Sequence, residues 1–138
     1  MRTRLALDRE RGSLSVFFAV VVLASLVMIG LAVDGGHKAQ ATQRAVAVAD
    51  EAARAGGNAI DALAATQSGD TRVDPVAAVA AAHAYLSAAG VSGAVTVDDG
   101  GQTLSVETTL QVQTVFLNIV GVDVMTVTGR GSADLVLE

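Results

Sequence analysis

Few side chains in this sequence could do chemistry. Asp98 and Asp99 stand together before Gly100-Gly101, His83 sits in an alanine-rich stretch, and His37 follows a long uncharged run. Adjacent carboxylates can share a proton or hold a cation, and a histidine can act as base or metal ligand. None of the spacings here completes such a site. The two histidines are far apart, with no spaced carboxylate motif around either. The aspartates precede two glycines, where their role is turn geometry. His83 lies between Val79 and Leu86 at helical spacing and reads as a packed, hydrogen-bonded side chain, and His37 reads as a solvated one. P-loop and Rossmann signatures are missing. With no cysteine, disulfides, thiolate metal sites and cysteine nucleophiles are excluded. No set of nucleophile, base and acid can be named, so the sequence predicts no enzyme, cofactor, metal or small-molecule substrate.

The elements that would have to position a site are more legible. The longest uncharged run is Leu14 to Val33, LSVFFAVVVLASLVMIGLAV. About 20 apolar residues at a rise of about 1.5 Å cross a hydrocarbon layer of roughly 30 Å. Its polar residues, Ser15 and Ser25, can bond back to their own helix. Arg2, Arg4, Arg9 and Arg11 precede it, while Asp34, His37 and Lys38 follow. The arginine-rich side is retained in the cytoplasm, which predicts a cytoplasmic basic leader at 1–13, a transmembrane helix at 14–33 and an extracytoplasmic domain at 34–138. The predicted location is the cell membrane, crossed once. The competing reading is a removable secretory signal, with Gly30-Leu31-Ala32 as its small-x-small cleavage site. Its apolar core would run to only about 7–15 residues, so the permanent anchor is preferred.

Of the 138 residues, 51% are hydrophobic and 3% aromatic, so the apolar content is mainly alanine and valine. Such a core packs close rather than deep. The net charge of −5 is divided unevenly, +2 over residues 1–13 and −7 over the remainder. An acidic bulk argues against nucleic acid as a partner, since phosphate binding needs clustered Lys and Arg. Arginine outnumbers lysine eight to one, a composition of the kind GC-rich, actinobacterial-type genomes give.

Beyond Asp34-Gly35-Gly36, residues 38–66 read as a second stretch of helix. Ala41, Ala45, Val48, Ala52, Ala55, Ala59 and Leu63 form its apolar stripe. Gln40, Arg44, Glu51, Arg54, Asn58 and Asp61 form its wet face, with Asp50 placed to pair with Arg54. Gly56-Gly57 predicts a kink or break. After a loop at QSGDTR, Asp74 caps a helix that starts at Pro75, buries Val76, Val79, His83 and Leu86, and ends at Gly90. The period then becomes two. Val95 and Val97 lead through Asp98-Asp99-Gly100-Gly101 into a strand with Leu104, Val106, Thr108, Leu110 and Val112 on one face. VFLNIVG is a short apolar helical turn. A last strand places Met125, Val127, Gly129, Gly131, Ala133, Leu135 and Leu137 on one side. The fold class is α+β: a single N-terminal transmembrane helix continuing into an extracytoplasmic helix, a second helix and a small antiparallel β-sheet.

Three segments give this order a likeness. Arg11-Gly12-Ser13 runs straight into the apolar helix. Ala32-Val33-Asp34-Gly35-Gly36 is followed by Gln43-Arg44-Ala45 and the alanine-rich segment from Ala49 to Ala55. Thr114 to Gly121 leads into the strand from Val124 to Gly131. As an ordered set they resemble the TadE/TadG-like family of Flp (tight adherence) pilus assembly proteins. The resemblance implies a pilin-like, pseudopilin-like membrane protein that is a structural or accessory part of pilus assembly or secretion. It implies the lipid bilayer and other Tad/Flp assembly membrane proteins or pilin subunits as partners. It also implies a prepilin peptidase cleavage site between Gly12 and Ser13. The chain departs from the pilin pattern at Phe17, which stands where pilins carry an acid.

VFLNIVG has two readings. It is a crossover that plugs the end of the sheet, in which case loss of the Phe116 ring destabilises the domain. Otherwise Phe116, Leu117 and Ile119 are a contact for lipid or a partner helix. The first is preferred on sequence grounds. For the whole protein, the alternative to a pilus component is a membrane-tethered extracytoplasmic binding or sensor module unrelated to pili.

Overall fold

A computed structural model describes residues 7–66, 75–98 and 100–135, with side chains from residue 14 onward except those of 61–66. The elements are α1 (Leu7–Thr66), α2 (Pro75–Ala89), β1 (Ser92–Val97), β2 (Thr103–Gln113), a 3-10 turn (Leu117–Val120) and β3 (Val124–Asp134). The strands form one antiparallel meander in the order β1-β2-β3, so the α+β class is observed. The loop predicted at 67–72, the Asp74 cap, Asp99 and Leu137 lie outside the described residues.

Two compact units divide the chain. One is built on the helix up to Gly36 together with Thr114–Asp123; the other comprises His37–Gln113 and the chain from Val124 onward.

In the second unit the core is a meeting of backbones. Ala45, Ala49, Ala52, Ala53 and Ile60 are the buried apolar side chains of α1, and Ala78, Ala82 and Leu86 those of α2. All of these but Ala45 pack in one cluster with Leu104, Val106 and Leu135. A Cβ on Gly129 would overlap the backbone of Ala45, and one on Gly131 would come within 2.5 Å of the Ala49 carbonyl carbon. These glycines let the helix descend onto β3 at a distance that no side chain would fit. Thr108, opposite Gly129 in the β2–β3 register, donates its hydroxyl to the Ala45 carbonyl at 2.8 Å. That bond gives a buried hydroxyl its partner and ties the helix backbone to the central strand.

Several expectations need correction here. α1 runs unbroken through Gly56-Gly57. A Cβ at Gly56 would overlap Leu104, so this glycine serves close packing and not a break. Of the predicted stripe Ala45 and Ala52 are buried, but Ala49, Ala53 and Gly56 join them while Ala55 and Ala59 are only partly buried. On α2, His83 is exposed and Val76 is 73% exposed, because alanines Ala78 and Ala82 take the buried face and permit closer approach. Arg54 pairs with Glu51 at 3.5 Å, not with Asp50.

The β-strand faces follow the predicted alternation. Leu104, Val106 and Thr108 are buried, and Glu107 on the outer face meets Arg130 directly across the ladder at 3.2 Å. Gly90 ends α2 in the left-handed conformation, φ 66°. In the hairpin, the Asp98 carboxylate accepts from the N–H groups of Gln102 at 2.7 Å and Thr103 at 2.9 Å. Its role is turn geometry, as its position predicts.

The close approach makes a graded test. Gly129→Ala forces a methyl into the Ala45 backbone and is expected to destabilise the protein by about 1–3 kcal/mol. Gly57→Ala adds a methyl that meets only the Ala133 Cβ, at 3.6 Å. It is expected to be neutral or to stabilise by up to about 1 kcal/mol through helix propensity. Urea unfolding of the two variants in detergent, followed by circular dichroism, separates them; coincident midpoints would contradict the backbone contact.

Candidate functional site

The first unit holds the one constellation that the sequence reading did not anticipate. Between Arg11 and His37 the only charged residue is Asp34. It lies in α1 just past the uncharged run and is 1% exposed. Burying a carboxylate is costly unless its oxygens receive donors. Three backbone N–H groups supply them: Val115 to Oδ1 at 2.7 Å, Phe116 to Oδ2 at 3.0 Å and Leu117 to Oδ2 at 2.8 Å. They are consecutive, so they form a concave donor surface of the kind that accepts an anion.

The segment holding these donors is closed on itself. The Thr114 N–H donates to the Asp123 carbonyl at 3.0 Å, and the Thr114 hydroxyl donates to the Val122 carbonyl. Ile119 donates to Phe116, Gly121 to Asn118 and Val122 to Leu117. Gly121 turns the chain back at φ 88°. The apolar side chains then have nowhere to go but outward. Ile119 is 80% exposed and Val120 73%, with Val115, Phe116 and Val122 also exposed.

Phe116 is the exception in part. Its ring lies across Gly30, where an added Cβ would come within 2.6 Å of Cγ and Cδ1. Gly30, buried in the structure, is therefore the seat of the ring. The side chains of Leu23, Leu26, Val27 and Leu31 from α1, with Phe116, Leu117, Ile119 and Val120, line a groove of about 400 Å³. Its lining is almost wholly apolar.

Of the residues the sequence singled out, Phe116, Leu117 and Ile119 are brought together on this loop. Gly12 and Ser13 lie on the α1 backbone, and their side chains are outside the described ones. Among the described residues, His37 and His83 join no group that could hold a metal, and Asp99, the neighbour of Asp98, lies outside them. Among the described residues no group of three or more His, Cys, Asp or Glu could hold a metal. The signal that could have found Asp34 is its solitude, one acid at the end of an uncharged run. The donors it needed were 81 to 83 positions away and could not be paired with it by spacing.

Among the described residues one helix is long and apolar enough to cross a membrane, and only 6% of its most apolar window is buried. Residues 12–67 match the model of the Tad family, described as "Putative Flp pilus-assembly TadE/G-like". The match takes in the apolar run, Gly30 and Asp34, and stops before α2 and the sheet. No curated protein and no solved structure matches the chain.

The clasp has a local readout. Asp34→Ala leaves three N–H donors without their carboxylate, at about 1–3 kcal/mol for each that water does not reach. Hydrogen exchange of the Val115, Phe116 and Leu117 amides is expected to accelerate strongly, with the Val106 and Val127 amides unchanged. Slow exchange retained at 115–117 in this variant would contradict the clasp. Gly30→Val, which drives a side chain into the Phe116 ring, is expected to loosen the same loop, and Phe116→Ala in the same chain to relieve the clash.

Proposed function

We propose that this protein is a membrane-anchored, pseudopilin-like structural or accessory component of Flp (Tad) pilus assembly or secretion, with no enzymatic role. The observation that carries the reading is the segment 12–67: it is matched by the Tad family, and it holds an apolar run almost entirely exposed along the helix. A helix apolar on all sides, with most of its surface left open by the described residues, needs lipid around it. Its backbone groups are satisfied within the helix, as a hydrocarbon environment demands.

The arginines ahead of the run keep residues 1–13 in the cytoplasm, and the acidic remainder from Asp34 onward emerges on the extracytoplasmic side. Its partners are the bilayer and other Tad/Flp assembly membrane proteins or pilin subunits. Its contact surface includes Phe116, Leu117 and Ile119. Gly12 and Ser13 are the place where a prepilin-type peptidase would cut, and a cut there leaves the span 14–33 intact.

The test is the intact mass of the protein from its native membrane fraction, joined to a gene deletion. The expected species keeps all of residues 14–33 and stays with the membranes, and the deletion removes surface fibres. A mass starting at Ser13 assigns the cut; a mass starting at or just after Met1 assigns a permanent leader. A soluble species starting near Asp34, or fibres undiminished in the deletion strain, would sink the reading.

A further inference from the structure

The loop Val115–Val122 lies alongside α1 at the level of the uncharged run, not beyond its end. Phe116 sits on Gly30, and the loop shares its groove with Leu23, Leu26, Val27 and Leu31. Gly30 precedes Asp34 by four residues, about 6 Å along a helix. Leu23 precedes it by eleven, about 16 Å. If Leu14–Val33 is in hydrocarbon, a loop packed beside it at that level is in hydrocarbon too. We therefore infer, resting on the anchored reading above, that Val115–Val122 is a re-entrant membrane element whose exposed side chains and groove are filled by lipid acyl chains.

Non-helical backbone can enter lipid only when its polar groups are satisfied from within the protein. The Asp34 carboxylate takes the N–H groups of Val115, Phe116 and Leu117, and carbonyls within Thr114–Asp123 take those of Thr114, Ile119, Gly121 and Val122. Asp34 thus has a specific task, since it holds the donors that no 3-10 turn can satisfy internally. Side-chain polarity follows the same division. From Val115 to Val122 the only polar side chain is Asn118, while Gln111, Gln113 and Asp123 flank the segment and are exposed.

Acyl chains fit the groove better than a partner helix does. Helices that associate in membranes present small residues so that backbones approach closely. Here Gly30, the small residue beneath the loop, is already covered by the Phe116 ring. What remains outward is Leu, Val, Ile and Phe, irregular and large, with Ile119 at 80% exposure. Fluid chains conform to such a surface without a matched shape.

The chain has no tryptophan, so single-tryptophan variants report one position each. Full-length Ile119→Trp, Val20→Trp and Thr126→Trp would be reconstituted separately in phosphatidylethanolamine–phosphatidylglycerol vesicles containing lipids brominated along the acyl chain. Ile119 and Val20 are 80% and 59% exposed in the protein alone, and Thr126 is exposed on β3, so each accepts the ring. Expected is strong quenching by bromolipid at Ile119 and Val20, with a blue-shifted emission, and none at Thr126, which aqueous acrylamide quenches instead. Adding Asp34→Ala to Ile119→Trp is expected to move that tryptophan into acrylamide reach. Val20 quenched by bromolipid while Ile119 is quenched by acrylamide would overturn the re-entrant loop and leave the anchor standing. Ile119 shielded from both quenchers would overturn it in favour of a protein partner or a second copy. Val20 not quenched by bromolipid would overturn the anchor and the loop together.

Discussion

The contact on which the second unit depends is between backbones. The chain has almost no aromatic residues, and the buried faces of its helices are mostly alanine. Side chains this small cannot bridge the usual spacing between a helix and a sheet. The helix must come down until its own carbonyls lie against the strand, which is why Gly129 and Gly131 sit opposite Ala45 and Ala49. The hydroxyl of Thr108 then reaches the Ala45 carbonyl directly. Dispersion between close backbones takes the place of the apolar area that larger side chains would bury. In the register of β2 against β3, Gly129 stands opposite Thr108, and both meet the helix at Ala45.

The first unit solves the opposite problem. Its side chains are large and its polar groups few, and the difficulty is the backbone of a short irregular segment. A single carboxylate resolves it by taking three successive N–H groups. One aspartate at the end of an apolar run therefore does for the loop what repeated i to i−4 bonds do for the helix beside it.

Much of the fold was legible in the sequence, and the reasons differ by element. The strands alternate cleanly between Leu104-Val106-Thr108 and Ser105-Glu107-Thr109, so burial on one face could be read from period two alone. The hairpin and the stop at Gly90 follow from residues with specific backbone demands. The helices were legible in kind and less so in face. An alanine-rich helix offers alanine on several rows, so nothing in its pattern separates Ala49 and Ala53 from Ala55 and Ala59. Gly56-Gly57 was ambiguous for a related reason: a missing side chain weakens a helix and also admits a close neighbour, and here Leu104 is the neighbour. The loop residues Phe116, Leu117 and Ile119 stood out as apolar. Their anchor did not, because a contact across 81 residues leaves no local periodicity to read.

That separation also sets an order of events during synthesis. Translation proceeds at roughly 5–20 residues per second, and Asp34 leaves the ribosome 81 residues ahead of Val115. For roughly 4–16 s the carboxylate has none of its three donors. The α1 segment around Gly30 can form its helix at once, but the loop that covers it is made more than 80 residues later. The newborn chain therefore passes through a stage in which an acid and a bare glycine notch await a segment more than 80 residues downstream. In that interval the carboxylate and the notch form a surface that the finished protein no longer shows.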